Sequence, residues 1–358
     1  MSIAKIIVNP YAGRWKARAA IPDIERACQR IGLAYELEIT EEPDHGIKLA
    51  REAALAGFSP IVSAGGDGSI SEVVNGLMQA AGGGSESDGV AGPLGIIPLG
   101  SADDFADMLD LEKEVEAACR VVLAGHTRVV DVGRVNDRFF DNNSAIGLEP
   151  MVTITQAGMK RIKGTPRYIL AALKTILSHK PWHMRLVWDD AQYEGPSALV
   201  SVGNTRRTGG AFWMTPLAEV DDGYLDFVFT SRLGRLKLLR LLPTTFDGSH
   251  IERPGVNCAR TTHLTIECDP PTPIQADGEV FELSATHIEY TILPGRLEVI
   301  VPAPGERGSE SERGSESVRG SESVRGSESV GGAESVGGAE SVGGAESVGG
   351  SESEGEAA

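Results

Sequence analysis

The chain has 358 residues, and no run of about 18 apolar residues occurs in it, so nothing is read as crossing a membrane as a helix. Its cysteines are sparse and scattered: Cys28, Cys119, Cys258 and Cys268 form no CxxC pair and no zinc-ligand spacing, and are expected to be reduced, buried thiols. The seven histidines show no ligand spacing either and are given no catalytic role. Lys5, Asn9 and Pro10 break the first apolar run, so no signal peptide is expected and the compartment expected is the cytoplasm. Basic residues are outnumbered, with 33 Lys and Arg against 51 Asp and Glu. A net charge of −18 argues against nonspecific nucleic-acid binding, and against anionic membranes unless a local basic patch exists. Three phosphate-chemistry signatures are also missing: the GxxxxGK[ST] P-loop, the GxGxxG dinucleotide fingerprint, and the ordered HRD and DFG set of protein kinases.

From residue 305 the sequence cycles every six residues, first as RGSESV and then as GGAESV. A solenoid needs a bulky apolar residue in each repeat, and a single Val among Gly, Ser and Glu does not supply one. Residues 305–358 are therefore expected to be disordered. This segment carries 12 Glu and 4 Arg, which leaves −10 on the rest of the chain. About 300 residues remain, enough for one large domain or two ordinary ones.

Residues 4–8, 35–39, 60–63 and 94–98 read as strands, and residues 21–31, 45–55, 69–80 and 115–123 as helices. That alternation predicts a parallel sheet with helical crossovers over residues 1–128. The pattern then changes. Residues 129–135, 138–142, 185–188, 198–202, 224–230, 263–267 and 287–291 read as short strands between turn signals, interrupted by helical patterns at 167–178 and 232–242. A mostly antiparallel β domain is expected over 129–291, with a final strand within 292–304 that returns to the first domain.

The sharpest local feature is Gly65-Gly66-Asp67-Gly68-Ser69-Ile70-Ser71-Glu72, which follows a strand and opens a helix. Glycines let backbone approach a phosphate, and a helix N-terminus offers N–H donors and partial positive charge. Asp67 would repel a phosphate directly, so a metal ion or water is expected between them. An ordinary βα turn capped by Ser69 or Ser71 explains the same residues. A second Gly turn, Gly100-Ser101-Ala102-Asp103-Asp104, opens another helix at the same edge of the predicted sheet, where ligands bind in open α/β folds. Asp67 and Asp104 are expected to converge there, although acids also favour a helix N-terminus without further purpose. Farther on, Asp277-Gly278-Glu279 reads as a hairpin turn.

The ordered set of motifs resembles the diacylglycerol kinase catalytic-domain family, and most closely its bacterial soluble lipid kinases. The set comprises Asn9-Pro10-Tyr11-Ala12-Gly13, Gly65 to Ser69 with Glu72-Val73-Val74-Asn75-Gly76, and Pro98 to Phe105. It continues with Val130-Asp131-Val132-Gly133, Gly209-Gly210 with Pro216, Asp221-Asp222-Gly223-Tyr224 and Asp277-Gly278-Glu279. The resemblance implies an NAD-kinase and phosphofructokinase-like α/β domain with ATP between two domains. It implies that Asn9, Pro10, Tyr11, Ala12, Gly13, Thr40, Gly66, Asp67, Gly68, Ser69, Ile70, Ser71, Glu72 and Ser101 line the nucleotide. It further implies a magnesium-linked network through Asp67 and Asp104 with Asp131 nearby, and Glu279 as acceptor of the lipid hydroxyl's proton. A second, structural Mg²⁺ would be held by Asp222 with carbonyls near Glu219 and Tyr224. The chain departs from the family pattern at Ser69 and Ser101, where Thr is usual, and at Asp103, where Asn is usual and the extra charge would oppose ATP.

A lipid substrate at a membrane surface requires a docking face. Lys160, Arg161, Lys163, Arg167, Lys174, Lys180 and Arg185 surround the apolar helix at 167–178, and residues 232–242 mix Arg and Lys with six Leu. Such a pattern suits transient membrane association, and equally an ordinary packed helix with a solvated basic face. A homodimer is left open. So are three alternatives to diacylglycerol phosphorylation: a sphingoid-base or other long-chain-alcohol kinase, an NAD kinase, and a nucleotide-binding regulator with little kinase activity.

Overall fold

The computed structural model describes residues 3–83, 89–159, 165–178, 180–189 and 191–305. The hexapeptide tail and Lys160, Arg161 and Lys163 lie outside them.

The first half alternates as β1 (Ala4–Val8), α1 (Ala12–Ile31), β2 (Tyr35–Ile39), α2 (His45–Leu55), β3 (Ile61–Gly65), α3 (Asp67–Ala80), β4 (Ala91–Pro98), α4 (Asp104–Met108) and α5 (Val115–Ala124). Strands β2, β1, β3 and β4 pair in parallel in that order. Strand β3 is buried along its length, as a parallel strand covered on both faces must be. Ile70, Val74 and Leu77 of α3 and Leu49 and Ala53 of α2 build the core on one side of this sheet. Helices α2 and α3 meet at Gly76, where a Cβ would lie 2.7 Å from that of Ala50, so only glycine permits the approach. Helix α1 starts earlier than its apolar periodicity indicates: Gly13, Arg14 and Trp15 all have positive φ, so its first turn is an irregular loop ahead of the regular helix.

The second half follows with β5 (Thr127–Val135), β6 (Arg138–Phe140), β7 (Asn143–Gly147), α6 (Leu148–Ala157), α7 (Thr165–Ser178), β8 (Trp182–Trp188), β9 (Ala191–Ser197), β10 (Leu199–Gly203), β11 (Leu225–Thr230), α8 (Arg235–Leu241), β12 (Val256–Thr261), β13 (His263–Ala276) and β14 (Glu279–Ile300). Its pairings are antiparallel, and a second core forms around Phe140, Met184, Val202, Phe227 and Ile288. The chain is thus an α/β lobe with parallel strands followed by a mostly antiparallel β lobe.

Strand β14 belongs to both. Its first part forms a hairpin with β13, and its last part pairs in parallel with β4, Leu297 opposite Ala91 and Val299 opposite Leu94. Along its other edge it pairs with β5, from Ile300 opposite Thr127 to Tyr290 opposite Val135, with an irregularity between Leu293 and Leu297. All 14 strands of the described residues consequently join one sheet.

One expectation needs correction, and one stretch that carries no expectation takes regular structure. Cys258 is exposed rather than buried, because it sits on β12, which pairs with β11 at the end of the sheet; the other three cysteines are buried. Residues 143–147 and 148–157, which carry no periodic signal, form a strand and a helix.

Candidate active site

Three loops meet at the carboxyl edge of β1, β3 and β4. The first begins at Asn9, whose Oδ1 accepts the Tyr11 N–H at 3.1 Å, and ends at Gly13, whose positive φ carries it against the Leu99 carbonyl. Backbone bonds tie the edge together: Asn9 N–H to Ala64 O at 3.1 Å and Leu99 N–H to Gly65 O at 2.7 Å. The second loop, Gly65 to Ser69, touches the third at Gly66 and Gly100. A Cβ on Gly100 would lie 2.6 Å from the Gly66 Cα and clash with the Asp103 carboxylate. Helix α3 opens here with Gly66 extended as its N-cap.

The acids of this edge are arranged by backbone amides. Asp67 accepts the N–H of Asp103 at 2.9 Å and of Phe105 at 3.3 Å, so it fastens the third loop to α3. Asp103 adopts a left-handed backbone and turns its carboxylate onto the Gly100 N–H at 2.9 Å. Asp104 reaches the β lobe, accepting the Gly210 N–H at 2.9 Å, while its Oδ1 is buried without a hydrogen-bond partner, 3.8 Å from Arg207 Nε. Burial, then repulsion from Asp67, pushes the carboxyls of both Asp103 and Asp104 up to about 6. The cluster is short of positive charge.

Glu279 arrives from the β lobe. Asp277 and Gly278 have positive φ and close the turn between β13 and β14, so the hairpin and the candidate base are one feature. Glu279 is exposed, and its Oε1 lies 3.5 Å from where a Gly68 Cβ would stand, over the start of α3. Asp277 holds this turn: it is buried and accepts the N–H groups of Asp141 at 3.3 Å and of Asn142 and Asn143 at 3.0 Å each, with the Ser71 hydroxyl beside it. Asp141 is fully buried next to Asp277, and burial followed by repulsion from Asp277 raises its pKa well above the usual range.

Other expected residues sit differently. Glu72 accepts the N–H of Asp44 at 3.1 Å and of Gly46 at 2.8 Å, so it anchors the start of α2 rather than facing the loops. Ile70 is core, and only its backbone belongs to the edge. Thr40 is buried with its N–H on Val8 O at 2.9 Å, next to Asn9, while Tyr11 and Ser101 are exposed. Asp131 does not join Asp67 and Asp104 through its carboxylate: both oxygens are taken at 2.7 Å, one by Gly223 N–H and one by Gly295 N–H. Asp222 accepts the Tyr224 N–H at 3.0 Å on one oxygen and pairs with Arg260 through the other; Glu219 is 3.9 Å from Arg206.

The two expected metal positions differ in fit. The Asp67–Asp104 cluster, with its orphaned buried oxygen, suits a cation delivered with a phosphate ligand. The Asp222 turn does not suit a resident ion, because a guanidinium already neutralises it. Among the described residues, no three His, Cys, Asp or Glu side chains are grouped to hold a metal unaided.

Motif reading missed a cavity of about 80 Å³ bounded by α6, α7, α8, β10 and β11. Its walls include Ala172, Ile176, Phe212 and Leu238, and its polar groups include Glu149 and His250. Glu149 is buried with Oε1 unpartnered; burial pushes its carboxyl up to about 7, against the opposing pull of Ser201 and Asn143. His250 is buried with Nδ1 unpartnered, and burial lowers its pKa. A lone Glu in an unrecognised helix gives no sequence signal for such a site.

Comparison with known proteins gives the family and the fold. Residues 4–135 match the family model of the diacylglycerol kinase catalytic domain, and residues 143–301 match that of the YegS C-terminal NAD kinase beta sandwich-like domain. A protein of Chromohalobacter salexigens described as "probable lipid kinase YegS-like" is 32% identical over 288 residues, covering 79% of this chain and 90% of its own. A diacylglycerol kinase of Staphylococcus saprophyticus is 27% identical over 277 residues, covering 77% and 88%. A crystal structure of a diacylglycerol kinase from Bacillus anthracis shares the fold with a TM-score of 0.64 at 22% identity, covering 85% of this chain and 98% of that one.

Proposed function

The chain belongs to the family of YegS-like lipid kinases and bacterial diacylglycerol kinases, and on that premise we propose that it transfers the γ-phosphate of ATP to the hydroxyl of diacylglycerol or a similar lipid alcohol. The observation that carries this reading is the carboxylate of Glu279 suspended over Gly68 and the start of α3. A phosphate cradle from one lobe and an unengaged carboxylate from the other face the same space.

Phosphoryl transfer asks the protein mainly for positioning and charge neutralisation. The triphosphate lies along the amides of Gly66, Asp67 and Gly68, with Ser69, Asn9 to Gly13, Thr40 and Ser101 at its flanks. When bound with the nucleotide, Mg²⁺ beside Asp104 and Asp67 would offset charge on the β- and γ-phosphates. Glu279 accepts the proton of the acceptor hydroxyl as the oxygen attacks. Asp277 keeps that carboxylate in place by fixing the turn to residues 141–143. Asp104 and Arg207 link the lobes across the cleft, and the turn that follows Arg207 leads to Phe212 in the apolar cavity.

That cavity takes the apolar part of the acceptor. Its polar end, Glu149, neighbours Asn143, whose carbonyl accepts the Asp277 N–H at 2.7 Å, so chain binding and hydroxyl activation share one strand. A buried acid in an apolar pocket also favours a second reading, a long-chain base as acceptor. Exposed Leu170, Leu177 and Leu236, with Lys174, Lys237 and Arg240 nearby in sequence on α7 and α8, are assigned to membrane contact. No helix of the described residues is long and apolar enough to cross a membrane.

Labelled γ-phosphate transfer to diacylglycerol, monoacylglycerol, sphingosine, phosphatidylglycerol and NAD, each with and without Mg²⁺, tests the reading. Mg²⁺-dependent labelling of one lipid is expected; labelling of NAD alone, or ATP binding with no transfer, overturns it. Gly100→Ala provides a second check. Its Cβ forces the two glycine loops apart, and ATP affinity is expected to fall about tenfold, roughly 1.4 kcal/mol, in calorimetry. Unchanged affinity would mean that the loops do not cradle the nucleotide.

A further inference from the structure

The turn at residues 219–226 lies where the lobes join. Asp131, on β5, takes the Gly223 N–H with one oxygen, and with the other takes the N–H of Gly295, the residue at the irregularity of β14. The family resemblance calls for a divalent ion at Asp222, within this same turn. The structure shows a different cation.

Arg260 stands on β12 directly opposite Asp226 of β11 in the antiparallel register. From there its guanidinium pairs with the Asp222 carboxylate, reaches Asp226 Oδ2 with Nε at 3.6 Å, and lies 4.8 Å from the centre of the Tyr224 ring. The remaining acids of the turn have guanidiniums too. Arg128 binds Asp221 at 2.6 and 3.0 Å, and Arg206 lies 3.9 Å from Glu219. A small divalent ion wants about six oxygen ligands at close range, including uncompensated carboxylate. Here the carboxylate of Asp222 is shared between an amide and a guanidinium, and an ion beside it would meet like charge.

We infer that Arg260 takes the place of a structural divalent cation in this protein, holding the Asp222 turn at the lobe junction with a planar fork and an aromatic face. A guanidinium suits this role, since it is always charged, bonds the Asp222 carboxylate while staying within ion-pair reach of Asp226, and faces the Tyr224 ring. The junction is then complete without metal, and any Mg²⁺ requirement of the enzyme belongs to the nucleotide.

The test uses the full chain without nucleotide, melted in EDTA and in millimolar MgCl₂. Wild type is expected to have one Tm in both. Because Arg260 is about half exposed, Arg260→Ala is expected to lower Tm by about 2–4 °C in EDTA and to regain part of it in MgCl₂, since the freed Asp222 and Asp226 can then accept an ion. A wild-type Tm that rises with Mg²⁺ and loses that rise in Asp222→Asn overturns the inference, as does an Arg260→Ala Tm equal to wild type. Should Arg260→Ala fail to fold, Mg²⁺ calorimetry on nucleotide-free wild type and Asp222→Asn decides alone. Heat from wild type that the variant lacks overturns it, and the same heat, or none, from both supports it.

Discussion

Glu279→Gln is expected to lower turnover about 10²–10⁴-fold while leaving ATP affinity and Tm close to wild type. The side chain is exposed and engages no partner in the structure, so its amide costs the fold little. What it removes is the only role assigned to the group, taking the hydroxyl proton as the attacking oxygen closes on phosphorus. Steady-state transfer to the lipid found in the acceptor panel, alongside ATP calorimetry, checks this. The contrast is Asp277→Ala, which strips three backbone amides of their acceptor and should lower both Tm and turnover. If Glu279→Gln retains wild-type turnover, the base lies elsewhere and the hairpin is only a turn.

Glu149→Gln is expected to stabilise the protein at pH 8 by on the order of 3 kcal/mol, with the advantage vanishing near pH 4.5. Burial moves this carboxyl from its ordinary value of 4.5 up to about 7 in the folded chain. The native state therefore holds a proton that the unfolded chain has already lost. Stability contributed by that proton is complete below about 4.5, declines as pH rises through the interval and is gone above about 7. Glutamine has no proton to lose, so its melting curve escapes the decline. Among the groups around it, Tyr168 is held well above its usual range, mainly by burial, and His250 has its pKa lowered, again mainly by burial; neither gains charge on going from pH 7 to pH 8. Melting of both proteins from pH 4.5 to 8 is the measurement, and a Tm difference that stays flat across that range would rule out a buried titrating Glu149.

Much of this architecture is legible in the chain itself. The parallel lobe announces itself because three of its four strands, β1, β3 and β4, run into glycine-containing turns and are followed by helical apolar repeats, as in residues 60–80. Its loops carry chemistry in sequence order, so the motifs alone place Asp67 and Asp104 at one edge. Strand β7 is illegible for a physical reason: it is buried throughout, so Asn143 to Gly147 has no alternation to read. Strand β9 hides behind Gly195 and Pro196, which imitate a turn. The length of β14 is concealed by Pro294 and Gly295, which read as a break but are absorbed by the irregularity between Leu293 and Leu297. Roles set by pairing are beyond reach as well. That Arg260 meets Asp222 depends on the register of β11 with β12, and that Asp131 serves two turns rather than the acid cluster depends on where β5 meets β14.

The passage of the chain between the lobes has a consequence for anyone who would take the protein apart. It leaves the first lobe along β5 and re-enters it along β14, and these two segments are paired with each other from Thr127 to Val135. The β lobe is therefore an insertion hung on a two-stranded ribbon, and the last strand of the first lobe is encoded after the insertion ends. A fragment stopping at residue 128 would leave β4, with Leu94, Ile96 and Ile97, as an open apolar margin seeking any extended chain to zip against. Such a fragment should precipitate, whereas excising the insertion and splicing the ribbon with a tight turn should give a soluble miniature of the first lobe.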